Sequence, residues 1–147
     1  ISYICGMAVL TVTIKEEVTL NGSLKTFENV HTETVDDIFH RIYGVLHTAE
    51  SELLNFSTAD AGGVFSDGDL DYLRITNLDS TNFITVRVLG SSKEYFVKIE
   101  AGDSLILNNS IIDANATGSQ SFSSGNIDSI KAQADSATVN VEILALA

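Results

Sequence analysis

Residues 69–108 constrain this chain more than any other stretch. They hold four short runs of β-type sequence: Asp71-Tyr-Leu-Arg-Ile-Thr-Asn-Leu78, Asn82-Phe-Ile-Thr-Val-Arg-Val-Leu-Gly90, Glu94-Tyr-Phe-Val-Lys-Ile-Glu100 and Ser104-Leu-Ile-Leu-Asn108. Turn residues follow each of the first three. Alternation with a period of two, punctuated by Asn, Asp, Ser and Gly, predicts half-buried strands. Four such runs in close succession predict an antiparallel meander.

The rest of the chain reads the same way. In Val9-Leu-Thr-Val-Thr-Ile14, residues Leu10, Val12 and Ile14 share one face and Thr11 and Thr13 the other. Val18-Thr-Leu20 meets Asn21-Gly22, the strongest short hairpin signal, and a strand resumes over 24–35. Residues 36–43 fit either a strand or one helical turn through the pair Ile38 and Ile42, and the strand is preferred. Glu52-Leu-Leu-Asn-Phe56 is another short strand. Residues 58–69 form a turn-rich loop. Residues 108–126, rich in Asn, Ser, Gly and Ala, predict a long exposed loop, and 126–134 a short helical turn. The closing run alternates through Val139, Val141 and Ile143.

These signals predict an all-β fold: an antiparallel β-sandwich or jelly-roll-like barrel of about nine strands. With 147 residues and no repeat or linker, the expected organisation is an N-terminal arm, 1–8, and a single sandwich domain, 9–147. The expected core is Leu73, Ile75, Phe83, Val86, Val88, Phe96, Ile99, Leu105, Val139, Val141 and Ile143. Proline is absent, so the turns rest on Gly, Asn, Asp and Ser.

Charge and composition narrow the function. Twenty acidic against eight basic residues give a net charge of −12, which argues against nucleic acid and anionic membranes as partners. A lone cysteine, Cys5, excludes an internal disulfide framework. No apolar run reaches the roughly 18 residues of a membrane span. The first six residues lack the basic and long apolar regions of a signal peptide, and Met7 reads as a natural start. Residues 1–8 nevertheless carry Ile1, Tyr3, Ile4 and Met7 without a charged side chain. That pattern predicts an assembly arm that docks on a neighbouring subunit, with folding back as an edge strand the alternative.

No catalytic constellation stands out. His31, His40 and His47 do not have the short paired spacing of metal ligands, and Cys5 has no neighbouring base. Asp67, Asp69 and Asp71 are a weak calcium candidate. Their loop lacks the glycine and the terminal glutamate of an EF-hand, so a capped turn is the competing reading. No Gly-rich phosphate loop and no basic patch with aromatics is present. Four Asn-x-Ser/Thr sequons, at Asn21, Asn55, Asn108 and Asn115, fit Asn- and Ser-rich turns. The expectation is a non-enzyme without a cofactor or a metal.

Several segments, taken in order, resemble a known group. Met7-Ala-Val-Leu-Thr-Val-Thr-Ile-Lys-Glu-Glu-Val-Thr-Leu-Asn-Gly22 resembles the start of small all-β virion structural proteins of aquatic and cyanobacterial tailed phages. His40-Arg41-Ile42, the run at 71–78, Phe96-Val-Lys-Ile-Glu-Ala-Gly-Asp-Ser104 and the segments 127–135 and 137–142 are similar to later parts of that group. The resemblance implies a capsid decoration (cement) or tail-associated protein, located in the virion. Its partners would be copies of itself and a major virion protein. The alternative is a host-glycan-binding β-sandwich module of a fibre or adhesin, for which Tyr43, Tyr72 and Tyr95 are the available aromatics.

Overall fold

The computed structural model describes residues 8–56, 70–90, 94–108 and 127–147. About three quarters of these are strand, and none is helical. By contact the chain divides into two compact units, 1–36 and 37–147, where an arm followed by one domain over 9–147 was expected.

The first unit is a long two-stranded ribbon. β1 (Ala8–Leu20) pairs antiparallel with β2 (Ser23–Val35), and every residue from Ala8↔Val35 to Leu20↔Ser23 is in register. Asn21 and Gly22 make the turn, both with positive φ, 50° and 76°. Two left-handed residues form the turn whose twist matches a two-residue hairpin, and Asn-Gly is the pair that adopts it at least cost. The runs 9–14 and 18–20 therefore merge into one strand. The apolar face was expected to be half-buried throughout. Only Val12 and Val35 are buried, and Ile14 is exposed.

The second unit holds β3 (Ile38–Val45), β4 (Ser51–Asn55), β5 (Tyr72–Asn77), β6 (Ile84–Gly90), β7 (Glu94–Ile99), β8 (Ser104–Asn108), β9 (Ile127–Ala134) and β10 (Val139–Leu146). They form two four-stranded antiparallel sheets, ordered β3-β10-β5-β8 and β4-β9-β6-β7. The pairs β3·β10, β4·β9, β5·β8 and β6·β7 nest like the two arms of one long hairpin. The added pairs β5·β10 and β6·β9 roll that hairpin into two layers. A β-sandwich-like body results. Its core takes Val45, Leu73, Ile75, Val139, Val141, Ile143 and Ala145 from one sheet. The other sheet supplies Leu53, Leu54, Ile84, Val86, Val88, Ile99, Ile130, Ala132 and Ala134. Leu53 and Leu54 are both buried although adjacent, because a bulge between Glu52 and Leu54 breaks the alternation there.

Four expectations are corrected. First, 69–108 is not a meander: of its four strands only β6 and β7 are sequential neighbours, and β5 pairs with β8 in the other sheet. Alternation identifies a strand and its buried face but not the strand beside it. Second, 126–134 is strand β9 and not a helical turn. Ile130, Ala132 and Ala134 alternate into the core between β4 and β6. Pairing on both sides overrides the helical preference of Ala and Gln. With it the described residues hold ten strands, where about nine were expected. Third, Phe96 is exposed. The inward residues of β7 are Tyr95, Val97 and Ile99, so Phe96 falls on the opposite parity. Fourth, Phe83 and Leu105 are half-buried, and Ile84, next to Phe83, takes the core position. The other expected core residues are buried. The 58–69 and 108–126 loops, apart from Asn108, lie outside the described residues.

Asn77 joins the crossings between the sheets. It is fully buried at the end of β5. Its Nδ2 donates to the carbonyls of Asn82 at 2.8 Å and Ile99 at 3.2 Å, and its Oδ1 accepts from the Asp79 amide at 2.9 Å. Its own amide donates to the Asp103 carbonyl at 2.9 Å, and its carbonyl accepts from the Gly102 amide at 3.1 Å. One side chain thus pins the β5–β6 crossing to the β7–β8 crossing. Asp79 then organises the turn, its Oδ1 accepting from the Thr81 and Asn82 amides, each at 2.7 Å. At the far end of the sandwich Asp37 and Ala147 exchange both backbone hydrogen bonds, at 2.9 and 3.0 Å.

Candidate functional site

Among the described residues, the outer face of the β3-β10-β5-β8 sheet carries a connected set of polar side chains that spans four strands. Cross-strand register brings His40, Glu142, Arg74, Thr76 and Ser104 to this face from four strands. His40 Nε2 lies 2.9 Å from Glu142 Oε1, and Arg74 Nη2 lies 2.8 Å from Glu142 Oε2. Arg74 Nη1 donates to Thr76 Oγ1 at 2.9 Å, and Thr76 and Ser104 share a hydrogen bond at 2.8 Å. A histidine and a carboxylate in contact invite comparison with a catalytic pair. Ser104, however, stands on the opposite edge strand, three strand spacings or roughly 14 Å away. A nucleophile must lie within hydrogen-bond reach of its base, so Ser104 is not one for His40. The chain instead ties four strands together across an open face, between the exposed side chains of Ile38, Ile42 and Ile106.

This network predicts an acid response. The hydrogen bond from His40, then the charge of Arg74, holds the Glu142 carboxyl below its ordinary value of 4.5. The Asn82 and Thr81 amides likewise hold Asp79 below 3.8. A carboxyl lowered by folding contributes stability that is complete above its unfolded pKa and lost as pH falls through the folded one. Thermal melts of wild type and Glu142→Gln should therefore differ at pH 7, with the wild type higher. The gap should close as pH drops below about 4. A gap that persists unchanged at pH 3 would contradict this.

A second charged cluster lies on the outer face of the other sheet. Arg87 on β6 bridges the Glu50 carboxylate and Glu94 on β7, the latter at 2.8 Å. Glu50 and Glu94, in that order, push the Arg87 pKa further up, so the guanidinium stays charged. Lys98 sits 4.1 Å from the centre of the Phe83 ring, and Phe96 is exposed nearby on β7. The face is mixed in charge.

The residues singled out from sequence are dispersed. His31 on β2 is 3.1 Å from Glu33, His40 is bound to Glu142, and the His47 carbonyl accepts from Gln133. No group of three or more His, Cys, Asp or Glu side chains converges among the described residues. Asp67 and Asp69 lie outside those residues, as do Cys5 and the expected arm residues Ile1, Tyr3, Ile4 and Met7. Asp71 is described, and its amide fastens the start of β5 to the Leu146 carbonyl at 2.9 Å. The three tyrosines do not make a platform. Tyr72 is buried, while Tyr43 and Tyr95 pack half-buried against the core from opposite sheets. Burial pushes the Tyr95 hydroxyl pKa up.

The feature that sequence reading passed over is the outer half of the ribbon. Ile14, Val18, Leu20 and Phe27 share one face there and are 38, 55, 63 and 59 % exposed. Nearer the open end, Val12 and Val35 on the same face are 9 and 1 % exposed. Extending the register outward from Asn21-Gly22 places Phe27 across from Glu16, on the face of Ile14 and Val18. That signal was present in the sequence.

Protein-family profiles, curated proteins and solved structures were all compared with the chain, and none matches it.

Proposed function

We propose that this protein is a non-enzymatic structural component that works by subunit–subunit packing. The proposed setting is a phage virion, as a capsid decoration or tail-associated protein. The observation that carries the reading is the ribbon: thirteen-residue strands with an exposed apolar outer half, in a unit of its own. A two-stranded hairpin is marginal in water unless a further strand, sheet or helix covers its apolar face. Exposed ribbons with unpaired edges are the kind of element through which β proteins join their neighbours.

Three further points support it. We read the nested strand order, β3-β10-β5-β8 against β4-β9-β6-β7, as jelly-roll-like. That architecture serves viral capsid proteins and also lectins and cupins, so this support is analogy of fold only. The segments described above that resemble small phage virion proteins point the same way. The net charge of −12 suits a particle surface that must stay dispersed.

The test is location. Quantitative mass spectrometry of purified particles from the source of this chain should find it at a copy number commensurate with the shell or tail symmetry. Recovery of the protein only in the particle-free fraction would overturn the reading. Selective retention on a glycan array by the isolated protein, without particle association, would favour the alternative module.

A further inference from the structure

We infer that the outer half of the ribbon is a self-complementary contact that pairs with the same segment of a second copy around a two-fold axis. On one face, register sets four rows from the middle of the ribbon to its turn: Ile14 with Asn29, Glu16 with Phe27, Val18 with Lys25, and Leu20 with Ser23. Directly opposed residues and alternate residues along a strand share a face, so these eight side chains form one surface.

The order of the rows decides the partner. Place two such faces together, antiparallel, with the two-fold axis across the strands between the second and third rows. Ile14 then lies over Leu20 of the second copy, and Asn29 over its Ser23. Phe27 lies over the second copy's Lys25, which suits an ammonium above an aromatic face. Glu16 lies over its Val18 and diagonally beside its Lys25. The row with the acid meets the row with the base, twice, once on each side of the axis. The apolar ends meet apolar ends, and no like charges oppose. An isologous contact requires a surface complementary to itself, and this one is. The other face of the same segment carries Lys15 beside Glu17 at 2.7 Å, an ion pair satisfied within the strand.

The contact is small, roughly 20 Å by 10 Å on each copy from strand dimensions. That is well short of a standard stable interface. Two isolated chains should therefore associate weakly, and repetition in an assembly would supply the avidity. The inference goes beyond the structural-component reading and needs no particle. It can fail while that reading stands, and the reverse.

Charge reversal tests it on the full chain. Sedimentation equilibrium should show wild type in a monomer–dimer equilibrium at concentrations up to about 1 mM. Glu16→Lys places two cations diagonally beside each other across the contact, and Lys25→Glu two anions. Each alone should weaken dimerisation by roughly tenfold or more. Mixing the two variants one to one should restore association, because Lys at position 16 then faces Glu at 25 while Lys25 faces Glu16. NMR shift changes on concentrating the wild type should centre on residues 14–29. Wild type that stays monomeric at 1 mM would overturn the inference. So would single reversals that associate like wild type, or a mixture no stronger than its components.

Discussion

Val86→Asp is expected to leave no soluble folded protein. Val86 is fully buried in the middle of β6, between β7 and β9, with Val97 and Ala132 beside it in register. A carboxylate there has no cationic partner, since Arg87 on the next position points to the outer face and is bound to Glu50 and Glu94. Burying an unpaired charge costs several kcal/mol even after the group neutralises by taking up a proton. That is a large share of the roughly 5–15 kcal/mol by which a domain of this size is stable. The control is Phe96→Asp, one strand away. Phe96 is exposed, so that change should stay within about 0.5 kcal/mol and express normally. Comparing soluble yield and melting temperature of the two variants checks the parity of both strands at once. Soluble, folded Val86→Asp, or an insoluble Phe96→Asp beside it, would reverse the assignment of inner and outer faces.

Asn77→Leu is expected to be the next most damaging change, although leucine fits the volume and is apolar. It removes the donor to the Asn82 and Ile99 carbonyls and the acceptor for the Asp79 amide. Leaving a buried polar group unsatisfied costs about 1–3 kcal/mol. With three groups affected, one of them at a more open turn, the loss should be about 3 kcal/mol. The melting temperature should fall by roughly 10 °C. Asn77→Asp sharpens the test. It keeps the acceptor for the Asp79 amide but turns an oxygen toward two carbonyls, so it should be no better than Asn77→Leu. Near-wild-type melting of Asn77→Asp would show that the amide does not hold the two crossings together.

The contrast between Val86 and Asn77 also marks what the sequence could show. Val86, Val88, Val139, Val141 and Ile143 are legible as core because alternation with a period of two is a local property of a strand. The hairpin at Asn21-Gly22 is legible because two left-handed residues in succession leave few other turns open. Asn77 gave no such signal. It stands in a polar stretch, Asn77-Leu78-Asp79-Ser80, that reads as an ordinary turn. Its importance comes from the Ile99 carbonyl, twenty-two residues away, being brought within reach.

The same distinction separates the fold from the candidate site. Local chemistry determined that the chain is all-β, where most strands lie, and for most of them which face turns inward, because backbone geometry and side-chain alternation act over a few residues; on β7 it did not, since Phe96 proved to face outward. It did not determine that β5 pairs with β8 and β10 instead of β6, or that β9 is a strand. Those outcomes depend on which strands complete one another's hydrogen bonds and share one core. Nor did it decide which apolar faces are covered. Leu10, Val12, Ile14 and Val18 alternate alike in sequence, yet Val12 is buried while Ile14 and Val18 stay exposed. Burial is a property of what the folded chain brings alongside a strand, and only the tertiary structure supplies that.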